Sequence, residues 1–487
     1  MLKRFLKDST IYSLSTLVTR GISFLLVPFY TRVFVPSDYG IIDLVAIVAS
    51  IVSSVFPLQI TQAIARLFPD CRDKQESSEY ASSGLFFTMF AFILFLAVFL
   101  PLRRTIDRFL LSNEIPDYLL IWAILPIAFN GLYYYGQNLL RWRLQPKRFA
   151  IASVVYSLVT IGATVVFVLI LKAGVVGVFW AQCLGGAVGF TLSFFLARDS
   201  YKLRFRWSRF REMVSYSWPL VPSSISIFLL TYADRIMISK LLNMQDLGLF
   251  GIGYRISSVV VILMMGVQGA ITPLIFNSYR DPNTPREIER IFRYFLVTAV
   301  VVTGALSIFS REILIVLTTP KYYSAWAVVP FLVMASFISG MRVFAPGLNL
   351  AKKTKTIALL DGFGGLMNVA MNFFLIERLG ILGAAISTMV SGFMVFGLQM
   401  FFSQKNYHVP HDSYRIGLLG TVAFAAVSTS YLLPQYEFVV SVALKGLLLF
   451  LIALAAVSFG LTKDEIKKLF NRSNFSFLLS SIRSNIF

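Results

Sequence analysis

Fourteen apolar runs, each long enough to cross a bilayer, constrain this chain more than any other feature. A helix needs about 20 apolar residues to span the roughly 30 Å hydrocarbon layer. Runs of that length occupy 9–34, 40–66, 81–101, 117–139, 150–171, 173–197, 213–241, 247–275, 291–317, 324–347, 356–377, 380–402, 416–433 and 439–460. Inside lipid every backbone polar group must be satisfied within the protein, which leaves helices or a closed barrel. Barrel strands alternate apolar and polar residues, and these runs do not. The expected fold class is therefore an all-α polytopic membrane protein with about 14 transmembrane helices. Only 14% of the residues are charged, against about a quarter in soluble domains, so a string of soluble domains is excluded.

The first run follows Lys3, Arg4 and Lys7, as a signal peptide would. It is too long for a signal's apolar region and lacks a small-residue cleavage site, so it is expected to stay as the first span. Lysine and arginine set the orientation. With the N-terminus inside, 30 of the 44 basic residues fall in cytoplasmic segments. Both termini are then cytoplasmic. The net charge of +20 reads as topology and contact with anionic headgroups, including the basic, aromatic segment Arg204 to Arg211. No nucleic-acid partner is expected.

The chain repeats itself. Ala173-Gly174-Val175-Val176-Gly177-Val178 returns as Leu379-Gly380-Ile381-Leu382-Gly383-Ala384, and Ser37-Asp38-Tyr39-Gly40 returns as Gln245-Asp246-Leu247-Gly248. Both offsets are nearly equal and both motifs sit at matching points between spans. A duplicated six-helix unit has an even number of crossings, so its copies enter from the same side as parallel repeats. The expected organisation is an N-terminal lobe at 1–205, a C-terminal lobe at 206–405, helices 13 and 14 at 406–462 and a basic cytoplasmic tail at 463–487. The Arg198 to Glu212 connection links the lobes, which suits rocking about a central cavity.

Charges within the runs are the candidate functional groups. Arg20, Arg235, Arg255 and Arg342 all lie in spans, where a charge costs about 2.5–3.5 kcal/mol on insertion scales and normally faces protein or a wet cavity. Ser9, Ser13, Thr16, Arg20 and Ser23 recur at helical spacing and form one polar face. Span 7 repeats the pattern with Ser217, Ser224 and Thr231, followed by Asp234 and Arg235. At 1.5 Å per residue, Arg20 lies about 17 Å from the inner end of span 1. Guanidinium groups offer a rigid donor fork that matches phosphate oxygens, so the four arginines are candidate ligands for a diphosphate.

Internal pairing is the competing reading. Asp234 is a candidate partner for Arg255, Asp361 for Arg342, and Asp43 for Arg32 at the outer mouth. Asp234, Asp43 and Asp361 are also the candidate ion-coupling acids. Asn130, Tyr133, Tyr134, Tyr135, Gln137 and Asn138 crowd one end of span 4. Tyr134 and Asn138 suit a sugar's faces and hydroxyls, although an interfacial aromatic belt also explains the tyrosines. Gly362-Phe363-Gly364-Gly365 lies within a span and reads as close helix packing. Lys445 is expected to snorkel.

No metal or cofactor site is expected: His408 and His411 lack a ligand cluster, and Cys71 and Cys183 form no pairing motif. The chain has no phosphate-binding loop motif, and its outer loops are short and free of histidine. Transport is favoured over catalysis.

Leu6-Lys7-Asp8-Ser9-Thr10-Ile11-Tyr12, Pro28-Phe29-Tyr30-Thr31-Arg32-Val33-Phe34 with Asp38-Tyr39-Gly40, Ala233-Asp234-Arg235 with Leu247-Gly248-Leu249-Phe250, and Leu379 to Ala385 together resemble polysaccharide transporters of the Wzx type. Those belong to the multidrug/oligosaccharidyl-lipid/polysaccharide (MOP) exporter superfamily. The resemblance implies two six-helix lobes that flip an undecaprenyl-diphosphate-linked oligosaccharide, such as an O-antigen or exopolysaccharide repeat unit, across the bacterial inner membrane. A polysaccharide polymerase and chain-length machinery are implied partners, besides membrane lipids. Related peptidoglycan-precursor flippases are similar in carrying cavity arginines on spans 1 and 8, which Arg20 and Arg255 match by position. No arginine stands in the middle of span 2. A multidrug antiporter and a membrane glycan polymerase or ligase are the alternatives; the excess of arginine over acid in the spans speaks against cationic drugs.

Overall fold

The computed structural model describes residues 21, 24, 26–110, 115–202, 204–433, 438–462 and 465. Among them, eleven helices are long and apolar enough to cross a membrane, or thirteen if two bent pairs each count as one span. These thirteen coincide with expected spans 2 to 14. The bent pairs are Leu220–Leu229 with Thr231–Leu241, at 55°, and Pro320–Ala327 with Val329–Phe344, at 53°. Of the first expected span, residues 26–33 form its described helical end. Arg20 and the hydroxyl residues Ser9, Ser13, Thr16 and Ser23 lie outside the described residues.

Contacts divide the chain into two compact units. One holds Met1–Ile252, Leu317–Tyr322 and Asn368–Ala384; the other holds Gly253–Val316, Tyr323–Met367 and Ala385–Phe487.

Both sequence repeats have a structural cause in the first unit. Gly174 and Gly380 each take φ +59°, the left-handed conformation that glycine adopts without a Cβ clash. Three residues on, a Cβ on Gly177 would stand 3.1 Å from the Phe167 backbone, and one on Gly383 would stand 2.1 Å from the Leu375 carbonyl oxygen. Each motif is a turn followed by a close approach of the next helix to the one it has just left. The other repeat starts two helices. Asp38 Oδ2 accepts the Val35 N–H at 3.4 Å, and Asp246 Oδ2 accepts Asn243 Nδ2–H at 2.9 Å, both in first turns where acids complement the helix dipole. The two glycines of this repeat meet each other. A Cβ on Gly248 would lie 1.8 Å from the Pro36 carbonyl oxygen, and one on Gly40 would lie 2.1 Å from that of Met244.

The second expected span is broken. The Pro36–Val55 helix ends, four residues turn, and the Ile60–Leu67 helix begins. Pro57 has no N–H to donate one turn back, so the helical ladder cannot run through it. Leu58 and Gln59 then take φ +49° and +55°, at about 1–2 kcal/mol each for residues with a Cβ. Packing holds this strain. Before the break, Val52 joins Phe92, Phe95, Ile124 and Ile127 in one core. After it, Ile60 and Ile64 join Ala81, Leu85, Leu139 and Leu140 in another.

In the second unit the Thr284–Ile308 helix packs on Ser413–Leu432 and Phe438–Gly460. Lys445 does not snorkel: it is buried, and its Nζ donates to both carboxylate oxygens of Glu312 at 2.7 and 2.8 Å. Ser441 Oγ donates to the same carboxylate at 2.7 Å. A lysine in mid-span reaches the bilayer surface only by extending past its neighbours; a buried carboxylate within reach removes the need. Beyond the last span, Arg293 clasps Glu465 through Nη1 and Nη2, each at 3.1 Å. Burial raises the Glu465 carboxyl, but hydrogen bonds from Arg293 and Thr462 outweigh it and lower its pKa to about 2. Of the glycine run expected to pack closely, Gly364 lies under Val395, where a Cβ would come within 2.1 Å of Cγ2, whereas a Cβ on Gly362 would meet nothing within 4 Å.

Candidate functional site

The break in the second span opens onto a cavity of about 430 Å³ in the first unit, within the size range of small-molecule sites, about 300–1,000 Å³. Ser50, Ser53 and Ser54 line it from the helix before the break, and Gln59 and Thr61 from the residues after it. Asn130, Tyr133, Tyr134 and Tyr135 enter from the Asp117–Trp142 helix, and Tyr156 from the helix beyond. Among the described residues of the wall, every polar group is uncharged. Of the residues that crowd span 4, Asn130 and the three tyrosines thus border a cavity inside the protein, where the sequence also allowed a lipid-facing belt, while Gln137 and Asn138 are not in its wall.

Helix packing sets these side chains. Tyr133 and Tyr156 stack with centroids 4.2 Å apart and planes 10° from parallel. Gly189 makes room for the stack, since a Cβ there would lie 2.8 Å from Tyr133 and 3.0 Å from Tyr156. Gln137 Nε2 holds the Tyr133 hydroxyl at 2.9 Å and Ser153 Oγ at 2.7 Å. Tyr135 donates to the Ala81 carbonyl at 2.6 Å. Gly186 stands where a Cβ would crowd Asn130 Oδ1 at 2.9 Å. That oxygen is buried and has no hydrogen-bond partner. Gln59 Nε2 donates to Ser224 Oγ at 2.8 Å, so one hydroxyl of the span-7 stripe meets the break in span 2.

The expected site residues separate. Arg235 and Asp43 come together: both are buried, with Nη1 and Oδ2 3.6 Å apart, and the guanidinium lies over the Tyr232 ring at 5.5 Å. Asp43 therefore faces Arg235, whereas Arg32 turns back to the Pro28 carbonyl at 2.8 Å. One helical turn separates Arg32 from that carbonyl, an easier reach than the next helix. Asp234 Oδ1 accepts the Arg235 backbone N–H at 2.8 Å. Arg342 and Asp361 pair at 2.6 Å, and Gln399 bridges them, accepting from Arg342 Nε at 2.8 Å and donating to Asp361 Oδ1 at 3.0 Å. Arg255 is half-buried in the second unit. Asn138 is buried with Nδ2 on the Tyr134 carbonyl at 2.9 Å and does not appear in the cavity wall. Sequence reasoning missed Ser50, Ser53, Ser54 and Gln59. Pro57 in the middle of an apolar run was the signal for the break.

A model of the family described as polysaccharide biosynthesis protein matches residues 5–278, more than half of the chain. The chain belongs to this family. The MatE family model matches residues 219–374. The "Lsg locus putative protein 1" of Haemophilus influenzae is 25% identical over 283 residues, covering 56% of this chain and 67% of that protein. The structure of the lipid II flippase MurJ in an inward closed conformation aligns with a TM-score of 0.71 and 14% identity, over 92% of this chain and 98% of that one. An inward-facing multidrug resistance MATE family transporter of the MOP superfamily aligns at 0.62 and 17%, over 82% and 96%. This member of the polysaccharide biosynthesis family thus has the all-helical fold of these transporters and is a multi-pass membrane protein.

Proposed function

We propose that the chain is a flippase for undecaprenyl-diphosphate-linked oligosaccharide, carrying it from the inner to the outer leaflet of a bacterial cytoplasmic membrane with both termini inside. Alternating access between lobes 1–205 and 206–405 would supply the motion. The observation that carries this reading is the cavity at the second-span break. Tyrosine, hydroxyl and amide groups converge there in a chain of the polysaccharide biosynthesis family. The diphosphate falls to Arg20, Arg235 and Arg255, with Arg20 the first choice and Arg342 a further candidate. Arg235 and Arg342 contribute only when they leave Asp43 and Asp361. Those two acids and Asp234 are the candidate groups through which an ion gradient drives the cycle. A polymerase and chain-length machinery would receive the product.

The test is reconstitution. Proteoliposomes loaded on one leaflet with undecaprenyl-diphosphate-linked sugar are treated with a membrane-impermeant glycosidase. Protein-dependent exposure of the sugar, reduced in Arg20→Ala and Arg255→Ala at normal abundance, is the expected result. No exposure above protein-free vesicles sinks the proposal.

A further inference from the structure

A sugar ring has two chemistries, a rim of hydroxyl or acetamido groups and a face of C–H bonds. The described wall of the second-span cavity supplies a complement to each. Gln59 and Asn130 are amides, each with donors and an acceptor, and Ser50, Ser53 and Ser54 lie along one helix beside them. Tyr134 borders the cavity while 47% exposed, so its ring face is open to a ligand where Tyr133 and Tyr156 already stack on each other.

Two of these groups are not at rest. Asn130 borders the cavity, and its Oδ1 is packed toward Gly186 without a partner, so its amide can turn toward a ligand without giving up a bond at that oxygen. Gln59 sits in the left-handed region at φ +55°, a conformation that aims its amide at Ser224 across the break. Strain of this kind persists where the surroundings enforce it and clusters at ligand clamps. Diphosphate recognition calls for guanidinium, ammonium or clustered backbone N–H groups, and the described wall is built from neutral side chains.

We infer that this cavity binds a neutral or acetamido sugar of the cargo. Asn130 and Gln59 hydrogen-bond its rim, Tyr134 stacks on its face, and Gln59 sets the sugar preference by exchanging Ser224 for the ligand. This rests on the flippase reading for its cargo and adds that sugar and diphosphate are recognised by separate groups of the protein.

The experiment uses the full chain in nanodiscs and two probes, undecaprenyl diphosphate bearing one N-acetylglucosamine and undecaprenyl diphosphate alone, with affinities read by native mass spectrometry. The intact protein is expected to prefer the sugar-bearing lipid by about tenfold, the equivalent of one or two net hydrogen bonds. Gln59→Met, Asn130→Leu and Tyr134→Ala each bring that ratio to about twofold or less and leave the bare lipid's affinity unchanged. Tyr134→Phe keeps the ring and the ratio. Because Tyr134 is exposed, its two variants keep the comparison decisive even where a buried amide variant misfolds. The inference is overturned if the intact protein shows no preference, if the variants keep it, or if they lose both lipids equally. Flipping measured in parallel separates the two proposals. Sugar-selective binding without movement leaves the site and removes the flippase; movement with the ratio unaltered in all variants does the reverse.

Discussion

Two kinds of buried polarity occur in this chain, and they behave differently. Charges within the spans are met by charges: in the second unit Lys445 by Glu312 with Ser441 in support and Arg342 by Asp361 with Gln399 between them, and in the first unit Arg235 by Asp43. In the first unit, the wall of the second-span cavity is neutral among the described residues, and one of its acceptors is left without a donor. A buried charge is expensive enough that the fold must answer it internally. A buried amide or hydroxyl costs less to leave incomplete, so an unfilled neutral group is a better pointer to a ligand here than a buried charge.

The sharpest way to break this contrast is to orphan a charge. Lys445→Met leaves Glu312 buried without its counter-ion, and a loss of about 3–5 kcal/mol is expected, read as a collapse of thermal stability in detergent. Adding Glu312→Gln to the same chain should recover most of it. If Lys445→Met alone is as stable as the parent, the pair is not what closes this part of the second unit. The glycine pair shared by the two repeats comes next. Gly248→Ala places a methyl group against the Pro36 carbonyl, with a loss of about 1–3 kcal/mol expected from overpacking. Gly420→Ala, where a Cβ meets nothing within 4 Å, should be near neutral in the same melt.

Arg342 is about a third exposed and Asp361 about a quarter, so solvent screening reduces the pair to about 1 kcal/mol. Arg342→Ala and Asp361→Asn should then lower stability alike and couple in a double-mutant cycle. A transport defect confined to Arg342→Ala at matched stability would instead assign its guanidinium to the cargo. The smallest effect is a pH dependence. His411 packs edge-on to Phe292, and burial, with the nearby His408, lowers its pKa from 6.5 to about 4. Between those values the unfolded chain takes a proton that the folded chain refuses, so stability falls as pH drops through that window. His411→Phe should flatten the fall. Glu465 acts lower, from 4.5 to about 2, losing its stabilising clasp on Arg293 as it is protonated.

Among the described residues, the position and order of spans 2 to 14 were legible in the sequence because lipid imposes one rule on all of them: about 20 apolar residues, with the backbone satisfied internally. The repeats were legible because glycine at a left-handed turn or a close helix approach has few substitutes. Gly174 and Gly380 with the same φ show the physical reason behind a short match. Pairing was only half legible. Arg342 with Asp361 followed from similar depth in adjacent spans, but Asp43 found Arg235, and Lys445 found Glu312. Depth along a helix can be counted from sequence, whereas the direction a side chain faces depends on how its helix is rotated and which neighbour it packs against.

By itself, then, the sequence determined that this chain crosses a membrane many times as helices, that it repeats, and that it carries arginine where arginine is costly. Tertiary structure alone decided which of those charges are answered within the fold. It also decided that the second span breaks at Pro57 to bring Gln59, Asn130 and Tyr134 around one cavity. Periodicity and hydropathy act along a single helix, but a cavity is the space left between several, set by the packing of side chains far apart in the chain.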